Sequence, residues 1–361
     1  MNDRSAGAVT IVAAAAFVCV ALATTSAHSY LSNVTWAKDI APIVQKRCAG
    51  CHSPGGIAPM SLVDYADAKA WAKTIKTQVL ERQMPPWYAA RGFGDFENDP
   101  TLTQTEIDTI VSWAEGGAAS GGDTVRPVTR RAADTARGLR EPDLVLAPPA
   151  PQAVTEATHV FDFPTDFAAD RWISAWEFRP GNRAIVKQAR IVVDNVPLGT
   201  WVPPEQATVF PDGTGQRLPA RARIRLEIDY QKGVGGAPDR SSLALQFTER
   251  VSRPIQYLRL ACGTTKIAKP IAALAICPRQ RSYGGSIEVL ARRPDGGAEA
   301  LGWIRNFQRQ YEVTYRFRHA VELPAGSAVD VRSQENDCAV DLQYVVDPDT
   351  TTASAARQPE S

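Results

Sequence analysis

Residues Cys48-Ala49-Gly50-Cys51-His52 constrain this chain more than any other stretch. The spacing C-x-x-C-H is that of covalent c-type haem attachment: two thiols add across the vinyl groups of the macrocycle, and the imidazole next in sequence becomes an axial ligand of the iron. The competing readings of the same residues are a redox dithiol and one half of a zinc site, but no second C-x-x-C follows.

At 361 residues the chain is too long for one small haem domain, so it is expected to be multidomain. Its net charge of +1 gives no reason to expect a nucleic acid or an anionic membrane as partner. An apolar run over 8–23, behind Asp3 and Arg4 and followed by Thr25-Ser26-Ala27, reads as a signal peptide over 1–27, cleaved after Ala23 or Ala27. The run is short for a membrane anchor, and no later stretch is apolar enough to span, so no membrane span is expected after cleavage. Cleavage after Ala27 would make His28 the N-terminus. The mature chain is therefore expected in the periplasm, or otherwise exported. Of the 6 cysteines, Cys48 and Cys51 are assigned to haem and Cys19 lies in the leader. Cys262, Cys277 and Cys338 then allow one disulfide and one free thiol in an oxidising compartment.

Residues 33–122 read as helical. Ile40, Ile43 and Val44 recur at helical spacing over 39–47, ahead of the haem motif, and 65–82 carries Ala68, Trp71, Ala72, Ile75 and Val79. Thr103 and Glu106 form a capping box opening a helix that Gly116-Gly117 stops. This order is similar to an all-α class I cytochrome c domain. The sixth iron ligand is assigned to Met84. It lies a whole helix beyond His52, in Met84-Pro85-Pro86-Trp87, where the proline pair holds an extended loop. This stretch resembles the methionine–proline loop of bacterial monohaem cytochromes. Met60 lies only eight residues beyond His52 and suits a core-filling role.

Residues 123–150 read as an exposed linker, with Arg126, Arg130, Arg131, Arg137 and Arg140 among scattered prolines. From there the pattern becomes short strands rich in β-branched and aromatic residues, some alternating strictly, as Ile224, Leu226 and Ile228 do. Turns such as Pro180-Gly181-Asn182 and Pro294-Asp295-Gly296 separate them. An all-β region of two jelly-roll or β-sandwich domains is expected, over 151–250 and 251–348, ahead of a disordered tail over 349–361.

Several stretches together resemble bacterial proteins that fuse a monohaem cytochrome c to a copper type II, ascorbate-dependent monooxygenase-like region, related to peptidylglycine α-hydroxylating monooxygenase. They are Trp36-Ala37-Lys38-Asp39-Ile40, the haem motif with Ile57-Ala58-Pro59-Met60, Met84-Pro85-Pro86-Trp87, Asp170-Arg171-Trp172 and Arg179-Pro180-Gly181-Asn182-Arg183. The resemblance implies paired jelly rolls. It also implies copper ligands, and those are missing. Lys187-Gln188 stands for a His-His pair, Asp229 for a lone histidine before Tyr230, Arg279-Gln280-Arg281 for a His-x-His, and Asp337 for a methionine. Besides His28 and His52 the chain has only His159 and His319, too few for five histidine ligands.

The sequence thus implies one covalent haem c held by Cys48 and Cys51, with His52 and Met84 on the iron, no copper, and no catalytic residues. The expected activity is one-electron transfer with redox protein partners, within or outside a multisubunit oxidoreductase. The β region would be a docking module. The alternatives are a copper monooxygenase with a rebuilt site reduced by the haem, and a haem-based sensor or small-ligand binder. Following the resemblance, ion pairs Lys187–Asp229 and Arg279 or Arg281 with Asp337 would fill the two vacated copper sites, against the alternative that these side chains face solvent. The same geometry would place Cys277 beside Cys338 and leave Cys262 unpaired, unless Cys262 is itself one of the bonded pair.

Overall fold

The helices of the N-terminal part are short, ending at Cys48, Trp71, Glu81 and Gly116. The computed structural model describes residues 33–122, 138–139, 141–204, 207–233, 235–280, 284–307, 311–334 and 338–346. The expected leader with Cys19 and His28, most of the linker with its five arginines, Arg281, Asp337 and the tail lie outside the described residues. A wide turn over Trp36–Ile40 leads into α1 (Ala41–Arg47), with Pro42 in its first turn. The helix expected over 65–82 is broken at Trp71 into α2 (Tyr65–Ala70) and α3 (Ala72–Leu80). In α4 (Gln104–Glu115) both bonds of the expected capping box form: Thr103 Oγ1 accepts from the Glu106 amide at 3.1 Å, and Glu106 accepts from the Thr103 amide at 2.7 Å. Trp36, Ile40, Val44, Ile107, Ile110 and Trp113 form a small buried core, with the Trp36 and Trp113 rings 6.0 Å apart.

The expected all-α class I cytochrome c domain does not form. Strands take up 42% of the described residues and helices 14%, in four α-helices of 6 to 12 residues. The physical reason lies between α3 and α4. Pro85, Pro86, Gly92, Gly94 and Pro100 forbid a helix there, and the chain instead runs extended onto the β region. Ala89 bridges Ile304 and Phe96 bridges Phe317. The amides of Ala90, Arg305, Glu97 and Arg318 donate to the carbonyls of Trp303, Tyr88, Arg316 and Asp95 at 2.7 to 2.9 Å. Residues 87–98 are thus a strap sewn to the strands Ala298–Ile304 and Tyr315–Leu323, and Phe96, 4% exposed, belongs to the β core.

One nine-stranded sheet passes through the whole β region. Its order is Leu144–Leu146, Ser242–Phe247, Arg171–Arg179, Thr214–Leu218, Arg253–Ala261, Cys338–Val346, Ile271–Gln280 and Tyr315–Leu323, with Thr208–Val209 beside Arg171–Arg179. The first of these strands lies inside the stretch read as linker. A short parallel pairing of Arg253 and Pro254 with Thr214 and Gly215 joins the two halves. A four-stranded sheet covers each half. Thr158–Pro164, Arg223–Tyr230, Val186–Val193 and Val196–Trp201 cover the first, and Gly263–Lys266, Ala328–Ser333, Ile287–Arg292 and Ala298–Ile304 the second. Alternation works as the sequence suggests: Ile224, Leu226, Ile228 and Tyr230 point inward from one strand. Each half has its own core, Trp176, Ile191 and Leu226 in the first and Ile287, Val331 and Leu342 in the second. The result is a β-rich fold of facing sheets, compatible with the expected jelly rolls. Among the described residues no helix is long and apolar enough to cross a membrane.

The disulfide is Cys262–Cys338, not Cys277–Cys338. Register explains the difference. Cys262 follows the strand Arg253–Ala261 and its amide donates to the Cys338 carbonyl at 3.1 Å, whereas Cys277 lies opposite Asp341, three residues along the next strand. Cys277 is a buried free thiol. The bond closes a separation of 76 residues, which in the chain-entropy model contributes about 4–5 kcal/mol. Non-reducing peptide mapping is expected to recover a Cys262–Cys338 peptide pair with Cys277 alkylatable only after unfolding; a bridge containing Cys277 would contradict the register.

Candidate functional site

The C-x-x-C-H stretch begins where α1 ends. Cys48 caps the helix through its amide to Val44, and the amides of Cys51 and His52 both turn back onto the Cys48 carbonyl, at 3.1 and 2.8 Å. This tight turn lets both thiols and the imidazole line one cavity. The following loop folds back, with Ala58 and Leu62 donating to the carbonyls of Cys51 and His52. Gly56 is needed for that return, because a Cβ there would lie 2.2 Å from the Cys51 carbonyl oxygen.

The cavity holds about 1000 Å³, the upper end of the range for small-molecule and cofactor sites. The N-terminal part lines it with Cys48, Cys51, His52, Leu62, Ile75, Val79 and Met84. The opposite wall comes from the β region: Arg183, Trp201, Pro203, Pro204, Tyr311, Val313 and Arg316. The two walls are in direct contact. A Cβ on Gly50, between the two cysteines, would lie 2.2 Å from that of Pro204, and Gln231 donates to the Ile57 carbonyl at 3.0 Å. Tyr311 in turn braces the proline wall by donating to the Pro203 carbonyl at 2.7 Å.

The donor set fits an iron porphyrin tethered through sulfur. His52 Nδ1 lies 3.2 Å from the Met60 carbonyl. A carbonyl only accepts, so Nδ1 carries the proton and Nε2 is the nitrogen left for a metal, the arrangement that orients ligating histidines. Burial pulls the imidazole below its ordinary pKa, opposed by the Met60 carbonyl. Burial, followed by the neighbouring Cys51, pushes the Cys48 thiol up to about 12. That is opposite to the depressed value of a redox dithiol. No group of three or more His, Cys, Asp or Glu able to hold a metal ion occurs among the described residues. Met60 lies on the His52 side through its carbonyl, packs against the helical core and also lines the cavity. Met84 is 42% exposed and lines the cavity from the loop beyond α3.

Of the residues that the resemblance would set at copper positions, Gln188, Asp229 and Arg279 are engaged with protein groups. At the first position Gln188 meets Asp229, its Nε2 2.5 Å from a carboxylate that also accepts from Thr158. Lys187 is the extra residue of a bulge between the pairs Val186–Tyr230 and Gln188–Asp229. At the second, Arg279 pairs with Asp341 at 3.1 Å and with Glu312. Arg259 shares Asp341 at 2.6 Å and Arg190 shares Glu312 at 3.3 Å while also binding Glu227. This charge ladder crosses from one β half to the other. His159 packs its ring 5.3 Å from that of Tyr230 in the first half, and His319 is exposed on a strand of the second.

Sequence reasoning places Cys48, Cys51, His52 and Met84 around one space, but it does not anticipate the β wall. A signal for it was present: Arg183 belongs to the Arg-Pro-Gly-Asn-Arg stretch, and Trp87, Tyr88, Phe93 and Phe96 are too many aromatics for a solvated loop.

No family model matches the chain, and no curated protein matches it. Among solved structures it is similar to the major capsid protein P2 of bacteriophage PM2, with 12% identity and a TM-score of 0.25 over 57% of this chain and 98% of that one. It is also similar to a Paenibacillus xanthan lyase, at 9% identity and a TM-score of 0.19 over 54% of this chain and 23% of that one. An oxalate decarboxylase of Bacillus subtilis follows at 8% identity and 0.15, over 62% of this chain and 79% of that one. Likenesses this distant carry no argument about function.

Proposed function

We propose that this chain is an exported one-electron carrier holding a single covalent haem c between its helical part and its β region. The observation that carries the reading is the shared cavity of about 1000 Å³ into which Cys48, Cys51, His52 and Met84 converge. When bound, the haem supplies a one-electron couple at its iron. The chain's own part is to tether, orient and exclude water. Cys48 and Cys51 would hold the macrocycle through thioether bonds. His52 is steered by the Met60 carbonyl so that Nε2 is its ligating atom, and Met84 offers its thioether from the loop held by Pro85 and Pro86. Leu62, Ile75, Val79 and Val313 supply apolar lining, which lowers the local dielectric and raises the weight of every nearby charge.

The β region is proposed to be a non-catalytic relative of the monooxygenase-like module, serving redox protein partners as a scaffold, either alone or in a larger oxidoreductase. Supporting this, the positions that correspond to copper ligands are filled by the Gln188–Asp229 hydrogen bond and the Arg279 ladder. The Cys262–Cys338 disulfide supports an oxidising compartment.

The test is the absorption spectrum of the full chain produced with a haem c maturation system. The oxidised protein is expected to show the thioether-to-iron charge-transfer band of a His–Met haem, abolished in Met84→Ala and kept in Met60→Ala. The reverse pattern would reassign the ligand, and a chain without any haem absorbance would refute the function.

A further inference from the structure

The lining of the cavity carries charges that neither the tether nor the axial ligands use. A c-type haem bears two carboxylates, and a carboxylate next to an apolar wall needs a cationic or hydrogen-bonding partner. On the helical wall Lys46 and Arg47 face Glu106, at 4.0 and 3.2 Å. The β wall contributes two further guanidinium groups, Arg183 and Arg316. Both are built into rigid surroundings. Arg183 follows a turn whose backbone is pinned from below: the Asn182 amide donates to Asp239 at 2.8 Å, the Asn182 side chain to the Pro238 carbonyl at 3.0 Å, and the Gly181 amide to Ser241 at 3.1 Å. Arg316, with a side chain only 14% exposed, is held through Nε by Glu97 at 2.8 Å and through Nη1 by Thr208 at 3.3 Å. The cavity's acids are themselves engaged, Glu97 by Arg316 and Asp99 by the Thr101 amide at 2.7 Å.

We infer that Arg183 and Arg316 are the β region's haem-carboxylate site and that, through it, the β region sets the reduction potential of the haem. This rests on the proposed haem attachment. Guanidinium groups suit the task because their forked donors match a carboxylate and stay charged at every physiological pH. The sign follows from electrostatics. An uncompensated haem carboxylate favours the oxidised, more positive iron, and a guanidinium beside it offsets that preference, so removing an arginine lowers the potential. Both are positioning residues, since they act on the iron through the carboxylates and the field.

The experiment is spectroelectrochemical titration of the full, haem-loaded chain, with haem content measured on each sample. The variants are Arg183→Met, Arg316→Met, Arg183→Lys and, as a surface control, Arg217→Met, which loses only an exposed pair with Asp170. Haem content is expected to stay complete in all four. Each of the first two should shift the reduction equilibrium toward the oxidised state by up to about tenfold, about 59 mV for one electron. Arg183→Lys should recover most of the shift at its site, and Arg217→Met should match the parent. Potentials unchanged in both methionine variants, with haem intact, would overturn the inference and leave haem attachment standing. Should Arg316→Met fail to fold, the pair Arg183→Met and Arg183→Lys decides the matter. A parent chain without haem would overturn both readings.

Discussion

Replacing Phe96 with Ala is expected to cost the β region about 3–5 kcal/mol, the range for removing a buried aromatic ring, although Phe96 belongs by sequence to the helical part. Its ring stacks on Phe317 at 5.4 Å and meets Tyr315 at 5.3 Å, inside the second β core. Trp87 reaches the same Tyr315 at 4.8 Å while lining the cavity. Loss of Phe96 should therefore also loosen the loop that carries Met84 and weaken the methionine–iron signature. Taken alone, the exposed linker read over 123–150 would let a haem domain be cut free after Gly122. The strap argues otherwise: a fragment ending there keeps Trp87, Tyr88 and Phe96 but loses Tyr311, Tyr315 and Phe317, the β-region rings they pack against. That fragment is expected in low yield and without the charge-transfer band. Denaturant unfolding of Phe96→Ala checks the claim; a midpoint equal to that of the parent, or a fragment with the full spectrum, would contradict it.

The second large effect is expected at Arg279. Its guanidinium serves Glu312 and Asp341, carboxylates whose side chains are each only 7% exposed. Arg279→Met would leave two buried acids short of their shared cation, and removing one partner of a buried pair costs about 3–5 kcal/mol. Arg259→Met should cost far less, since the Arg259 side chain is 64% exposed and solvent screens such a pair. Combining Arg279→Met with Glu312→Gln should cost less than the sum of the two single changes, because the pair is coupled. Additive losses in that cycle would show that the ladder is not a coupled unit.

What could be read from the sequence follows from the range of the forces involved. The capping box at Thr103, the strand alternation at Ile224, Leu226 and Ile228, and the C-x-x-C-H spacing are local patterns, and the first two recur in the structure as read. The errors all required knowing register or long-range pairing. A one-residue bulge at Lys187 put Gln188 in register with Asp229, a pairing the sequence did not show. Three residues of offset along one strand decided which cysteine met Cys338. The strap over 87–98 is not visible in the sequence because its partners lie more than 200 positions away, as with Phe96 and Phe317. A class I cytochrome domain was expected because helix-forming segments flank the haem motif, yet the prolines and glycines between α3 and α4 send the chain onto the β sheet instead. The candidate site was half legible for the same reason. Its sulfur and imidazole donors sit in short motifs, whereas Arg183, Tyr311 and Arg316 reach it only through the tertiary fold.

The most direct test of the account is the intact mass of the full chain purified under denaturing conditions after production with a haem c maturation system. The expected mass is that of the polypeptide plus one haem, with the addition lost when Cys48 and Cys51 are both replaced by Ser. A chain of unmodified mass, from cells in which a control c-type cytochrome matures normally, would contradict the account.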